Sequence, residues 1–133
     1  MTASLALVGL FVRDLPRARA FYAERLGLEE VPQFSSDTFA FLKSAHGTPI
    51  ALQTLDQLPP GANAQPGGAQ LAFDVADLDA TLRDWQAAGV PILTEIADMG
   101  AGRTFYALDP EGNLLGVSRL YELVREYRRS LGL

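Results

Sequence analysis

Two stretches decide the reading: Leu7-Val8-Gly9-Leu10-Phe11-Val12-Arg13-Asp14-Leu15 and, 63 residues on, Gln70-Leu71-Ala72-Phe73-Asp74-Val75-Ala76-Asp77-Leu78. Each is a strand-like apolar run that ends in Val-x-Asp-Leu, so the chain carries an internal duplication. A helix follows each copy. Asp14 caps the first, Pro16 lies in its first turn, Ala18, Phe21, Tyr22 and Leu26 form an apolar stripe, and Gly27 stops it. In the second, Asp77 or Asp79 caps, Leu78, Leu82, Trp85 and Ala88 form the stripe, and Gly89 and Pro91 end it.

Working outward, each helix leads into strand-rich sequence. The first half offers Glu30–Phe34, Thr38–Lys43 and Pro49–Thr54, with turns at Ser35-Ser36-Asp37 and His46-Gly47. The second offers Ile92–Ile96, Arg103–Leu108 and Leu114–Leu120, separated by Asp98–Gly102 and by Asp109-Pro110-Glu111-Gly112-Asn113. Each half therefore reads β-α-β-β-β. The expected fold class is α+β: two tandem β-α-β-β-β modules, curved mixed sheets forming a cleft, and helices on the outer faces. Residues 1–133 make one domain, with module one at about 5–55, a Pro- and Gly-rich linker at 56–68 and module two at about 69–119. At about 120–131, Leu120, Leu123, Val124, Tyr127 and Leu131 recur at helical spacing and predict an extra C-terminal helix that packs on the domain or on a second subunit.

Composition narrows the function. A chain of 133 residues with 48% hydrophobic and 20% charged residues builds one real core and is neither disordered nor fibrous. It has no cysteine, which excludes a disulfide scaffold, a thiolate metal site and a cysteine nucleophile. Nothing resembles a signal peptide or approaches the ~20 apolar residues of a membrane span, so a cytoplasmic protein without membrane attachment is expected. The net charge of −5 repels phosphate backbones, argues against nucleic acid and would favour a cationic partner. The late basic residues Arg119, Arg125, Arg128 and Arg129 read as the solvated face of the terminal helix.

The opening strand into Val12-Arg13-Asp14-Leu15, then Ala20-Phe21-Tyr22 and Leu26-Gly27-Leu28, and late in the chain Phe105-Tyr106-Ala107-Leu108-Asp109-Pro110-Glu111-Gly112-Asn113, carry a family resemblance. Over about residues 5–119 the chain resembles the vicinal-oxygen-chelate superfamily, the glyoxalase, bleomycin-resistance and extradiol-dioxygenase group. The resemblance implies paired modules around a cleft and, in metal-dependent members, four inward His, Glu or Gln side chains holding a divalent Lewis acid. Carried over by register, those positions fall on Leu7, Ala51, Gln70 and Gly116. Three of them cannot ligate a metal and Gln70 is a weak oxygen ligand, so no metal and no cofactor are expected. A slip of one residue rescues nothing, because Ala6, Val8, Ala69 and Leu71 do not ligate either. His46, the single histidine, reads as an exposed turn residue.

Strand alternation then names the candidate cleft lining. Leu7, Gly9 and Phe11 come from the first copy, and Gln70, Ala72 and Asp74 from the second. Ala51, Gln53, Gly116 and Ser118 come from the last strands of each half, beside Leu114. Gln70 is the foremost candidate for a ligand contact. Asp74 either pairs with a cation or sits at a solvated rim. Alternation leaves open which of Phe39, Phe41, Phe105 and Tyr106 face inward. Gly9 and Gly116 either leave room for a ligand or relieve crowding on a curved sheet. Trp85 reads as core, and Met99-Gly100-Ala101-Gly102-Arg103 as a loop. No Ser-His-Asp set or paired carboxylates with separated roles is apparent. Catalytic residues stay unassigned.

Three functions follow. The first is a metal-free small-molecule-binding protein of the glyoxalase/bleomycin-resistance type, a homodimer with its ligand held between modules. The second is a lyase, isomerase or dioxygenase-like enzyme of the same superfamily, for instance a glyoxalase-like lyase using Gln70, Tyr106 or Asp74. The third is an interaction module with a closed cleft, supported by the C-terminal helix.

Overall fold

The computed structural model describes residues 3–45, 47–108, 110 and 112–133. His46, Asp109 and Glu111, which the turns above include, lie outside the described residues. In chain order the elements are β1 (Ser4–Phe11), α1 (Leu15–Leu26), β2 (Glu29–Glu30), β3 (Phe39–Lys43), β4 (Ile50–Gln53), β5 (Ala69–Asp74), α2 (Leu78–Ala87), β6 (Ala97–Asp98), β7 (Gly102–Leu108), β8 (Leu114–Leu120) and α3 (Glu122–Ser130).

Both repeat copies turn into helices through the same device. Asp14 Oδ1 accepts from the Arg17 amide at 3.1 Å, and Asp77 Oδ1 accepts from the Ala80 amide at 3.0 Å. Gly27, at φ 68°, closes α1 in the left-handed conformation that costs glycine nothing.

The eight strands form one curved mixed sheet in the order β2-β3-β4-β1-β5-β8-β7-β6. Within the first half β1 pairs parallel with β4, and within the second β5 pairs parallel with β8. The halves join through the antiparallel pair β1–β5, with Gly9 opposite Gln70 and Leu7 opposite Ala72. Exchanging the two strands maps Leu7 onto Gln70 and Gly9 onto Ala72, so the 63-residue sequence repeat is also a two-fold relation in the sheet. Ala51 beside Gly9 and Gly116 beside Ala72 obey the same relation.

Each helix covers its own half from the outer side. Leu15, Ala40, Leu42 and Leu52 form one buried cluster under α1, with Tyr22 and Leu10 against it. Val75, Leu78, Phe105, Ala107 and Val117 form the other under α2. Trp85 meets the Phe105 ring edge-on at 5.7 Å, the packing role expected of it.

Four expectations need correction. Glu30–Phe34 is not a strand: pairing stops at Glu30, and Pro32–Phe34 forms a 3-10 turn, because Pro32 has no amide for a ladder and Phe34 turns in against Phe41 at 5.1 Å. Ile92–Ile96 is not a strand either. Ile92 makes a single bridge to Ala107, Ile92 and Ile96 pack against the α2 cluster, and the paired segment is Ala97–Asp98, displaced into the expected turn. The terminal helix begins at Glu122, since Leu114–Leu120 continues as strand to its end.

The fourth correction concerns the face of α3. Leu123 is 79% exposed, and Arg125 and Arg128 are half-buried against the sheet. Long arginine side chains lay apolar stems along a surface while their heads find polar partners, so charge alone did not mark the outward face.

Candidate functional site

Backbone pairing sorts the sheet's side chains, because residues directly opposite in neighbouring strands point to the same side. The side without α1 and α2 carries the row Phe41–Ala51–Gly9–Gln70–Leu114, a second row Leu7–Ala72–Gly116–Tyr106, and Phe11, Gln53 and Phe39 at one end. Asp74, Ser118 and Thr104 lie at the other end. All ten candidate lining residues therefore share one face. The ambiguous aromatics are sorted as well: Phe39, Phe41 and Tyr106 are on this inner face, while Phe105 is opposite Val117 on the core side. Because β1 and β5 pair within one chain, both halves of the duplication contribute to this face.

The centre of the face is a buried glutamine pair. Gln70 Nε2 donates to Gln53 Oε1 at 2.7 Å, and both residues are at most 6% exposed. Gly9 makes this possible. A Cβ at position 9 would lie 2.9 Å from Gln70 Cγ, so the Gln70 side chain runs across β1 in the space that glycine leaves. Gln70 Oε1 is buried with no hydrogen-bond partner. A buried unpaired amide oxygen costs about 1–3 kcal/mol, so such an atom calls for an explanation. It points toward Gly116, whose hypothetical Cβ would lie 3.7 Å from Gln70 Oε1 and 3.5 Å from Tyr106 Cε1. Those are ordinary contact distances, so Gly116 leaves methyl-sized space where Gly9 relieves a clash.

Tyr106, half-buried, has its phenol pushed above the usual 10.0 by burial, which keeps it protonated and able to donate. Its backbone amide donates to Thr94 Oγ1 at 3.0 Å, which fixes the strand locally. Ser118 Oγ and Thr104 Oγ1 share a 2.6 Å hydrogen bond and satisfy each other. Phe11, at the end of β1, packs beside Gly68.

The site residues that sequence reasoning missed belong to α3, which lies across the inner face. Arg125 Nη2 donates to Asp74 Oδ2 at 2.6 Å, and the Leu120 amide donates to Asp74 Oδ1 at 3.0 Å. Asp74 thus pairs with a cation, the first of its two expected readings. Arg128 Nη2 donates to the Ala6 carbonyl at 2.9 Å, and its guanidinium stands 5.7 Å from the centre of the Phe41 ring. Ala6 lies where the β1–β5 register shifts, between Leu5 and Leu7, and has no partner of its own in that ladder. Tyr127 meets Phe34 edge-on at 5.4 Å. A bulge cannot be read from a regular apolar alternation, so no sequence signal announced these contacts.

The resemblance implies metal ligands at four positions. Leu7, Ala51 and Gly116 have no donor atom, and the Gln70 amide is turned to Gln53. Among the described residues no three His, Cys, Asp or Glu side chains come together. The residues present do not fit a metal at these positions. Elsewhere, an open groove of about 500 Å³ lies on the outer side between the start of α1 and Pro66–Gly68, away from the glutamine pair.

Comparisons with known proteins agree on the architecture. A family model described as the Glyoxalase/Bleomycin resistance protein/Dioxygenase superfamily matches residues 4–117. No curated protein matches the chain in sequence. Among solved structures, the methylmalonyl-CoA epimerase from Mycobacterium tuberculosis is similar at 27% identity and TM-score 0.67, covering 92% of this chain and 91% of that one. A structure described as the NAD-dependent benzaldehyde dehydrogenase from Legionella pneumophila is similar at 26% identity and TM-score 0.70, covering 86% and 98%. A glyoxalase/bleomycin resistance protein/dioxygenase superfamily member from Vibrio splendidus shares the fold at 21% identity and TM-score 0.60, covering 89% and 99%.

Proposed function

The chain belongs to the glyoxalase/bleomycin resistance protein/dioxygenase superfamily, and from that premise we propose that it is a metal-free small-molecule-binding protein whose ligand lies in the cleft, on Gln70. The observation that carries this reading is the buried, unpaired Gln70 Oε1 facing the space beside Gly116 and Tyr106. A ligand hydroxyl or amide N–H placed there would satisfy it. The surrounding Leu7, Ala72 and Leu114 supply the apolar contact usual in such pockets.

Binding is favoured over turnover by the state of the carboxylates. The mycobacterial neighbour is an epimerase, and proton transfer at carbon needs a base within reach. On the described strand residues of this face the carboxylates are Glu29, exposed at the edge opposite Lys43, and Asp74, whose two oxygens are both engaged by Arg125 and the Leu120 amide. We place the expected self-association on the outer side of the two central strands, where Leu5 and Leu71 are 42% and 39% exposed. Light scattering of the purified chain tests it, and a monomer at all concentrations would remove it.

The binding reading is tested by thermal shift against a small-molecule library, with elemental analysis of the same sample. A ligand that binds the native state alone raises the melting temperature by mass action. The expected result is a hit without stoichiometric metal, weakened in Gln70→Leu and abolished in Gly116→Leu. Stoichiometric metal that a chelator removes, or a hit indifferent to both substitutions, would overturn the reading.

A further inference from the structure

The inner face carries more positive than negative charge, in a protein whose net charge is −5. Arg125 and Arg128 stand three residues apart on α3 and both reach this face, where the carboxylates on the described strand residues are Asp74 and, at the exposed edge opposite Lys43, Glu29. Arg125 takes one oxygen of Asp74 and the Leu120 amide takes the other. What remains for Arg128 is neutral: the Ala6 carbonyl and the Phe41 ring. The two guanidiniums therefore share one carboxylate, Asp74, and one positive charge of the pair is left over. In addition, Arg125 Nε is buried with no hydrogen-bond partner.

Two orphaned polar atoms thus mark one cleft, an acceptor on Gln70 and a donor on Arg125, with a half-buried cation on Arg128. Burial lowers the Arg128 pKa, and the charge of Asp74 offsets part of that effect. Phe41 and Gln70 stand three strand spacings apart along one row, about 14 Å at ~4.8 Å per spacing. The Gln70 side chain folds back over Gly9, so the two polar poles bracket the middle of the row.

We infer that the cleft takes an organic monocarboxylate: its carboxylate on Arg128, its apolar body along Leu7 and Ala72, and a hydrogen-bond donor toward Gln70. This rests on the reading of the cleft as a ligand site and adds the chemical class of the ligand. A carboxylate matches the planar fork of a guanidinium through two parallel hydrogen bonds. A single spare positive charge balances a monoanion, whereas a phosphate dianion would leave a net negative charge in a site with little water.

The test uses the full chain and two matched probes, 3-phenylpropionate and 3-phenylpropionamide, by calorimetry or ligand-observed NMR. The wild type is expected to bind the acid about tenfold or more tightly than the amide, as a charge-assisted hydrogen bond implies. Raising the salt from 0.05 to 0.5 M, roughly a threefold shorter screening length, should erode that preference and leave the amide unmoved. Arg128→Gln should abolish the preference and Arg128→Lys should retain part of it, with circular dichroism reporting that α3 is intact. The salt series needs no substitution and decides the matter even where a variant does not fold. Equal binding of acid and amide, or a preference that survives both salt and Arg128→Gln, would overturn the carboxylate. If that binding is still lost in Gly116→Leu, the cleft stands as the ligand site and the anion alone is wrong. Failure of both probes to bind removes the carboxylate assignment, while a library hit lost in Gly116→Leu still upholds the cleft.

Discussion

Gln70 reaches Gln53 across the position of Gly9, and the 2.7 Å hydrogen bond between the two amides is the polar centre of an otherwise apolar sheet face. The bond joins strands from the two halves of the duplication, with β1 between them. It uses the donor of Gln70 and leaves its buried acceptor without a partner.

Gly9 and Gly116 should respond oppositely to alanine. At position 9 the new methyl meets Gln70 Cγ at 2.9 Å, so the side chain must leave its place and the glutamine pair is disrupted. A loss of about 1–3 kcal/mol is expected in denaturant titration. At position 116 the methyl finds 3.5 Å or more to every neighbour, and stability should change by less than about 1 kcal/mol. Ligand affinity should nevertheless fall, since the methyl occupies the space beside Gln70 Oε1. Equal stability losses would contradict the geometry.

The glutamine pair itself should be strongly non-additive. Gln70→Leu leaves Gln53 Oε1 buried without its donor and should cost about 1–3 kcal/mol. Replacing both glutamines by leucine removes both polar partners and should cost less than the single changes predict. A double-mutant cycle measured by urea unfolding gives the coupling directly, and a coupling near zero would mean that the two amides do not interact in solution.

The seat of α3 should depend on Asp74. Its ion pair with Arg125 is 17% and 23% exposed, sheltered enough for removal of one partner to leave an uncompensated charge. Asp74→Asn should cost about 1–3 kcal/mol after allowing for residual solvent screening. More specifically, it should raise amide hydrogen exchange in Glu122–Ser130 while the strands stay protected. Unchanged exchange in α3 would mean that Tyr127 and Arg128 hold it unaided. By contrast, Arg129 pairs with Glu122 at the surface, both more than 60% exposed, and Glu122→Gln should be close to neutral.

Alkaline titration should report on Tyr106. Its folded pKa lies above the unfolded value of 10.0 because burial disfavours the phenolate. Below about pH 10 the neutral phenol is present in both states, and this group adds no pH dependence. As pH rises from the unfolded toward the folded value, the unfolded chain releases a proton that the folded chain retains, so stability falls. Tyr106→Phe should flatten that decline in melting temperature between pH 9 and 11. An identical slope would place the ring in water.

Much of the fold was legible because its signals are local. Asp14 and Gly27 act on neighbours within four residues, and the strand-to-helix turn at Asp77 repeats the first one. Alternation assigned Leu7, Gly9, Gln70 and Ala72 to a common face, and the observed register agrees. It failed at Glu30–Phe34 and Ile92–Ile96, where apolar residues turn into cores instead of pairing as strands. The periodic pattern reports only that a side chain is to be buried, and a coil segment buries Ile92 and Ile96 as well as a strand would.

The sequence by itself determined the duplication, the helix ends, the absence of metal-ligating side chains at the four family positions and the identity of the inner face. All of these depend on spacing along the chain and on side-chain chemistry. Only the tertiary structure decided what that face holds. The glutamine pair spans 17 residues, the Arg125–Asp74 pair 51, and the Arg128 contact with the Ala6 carbonyl 122. That last contact falls on Ala6, where the register of β1 against β5 shifts. Whether an arginine on an amphipathic helix faces solvent or a cleft is settled by what lies opposite it, and that partner is set by the fold.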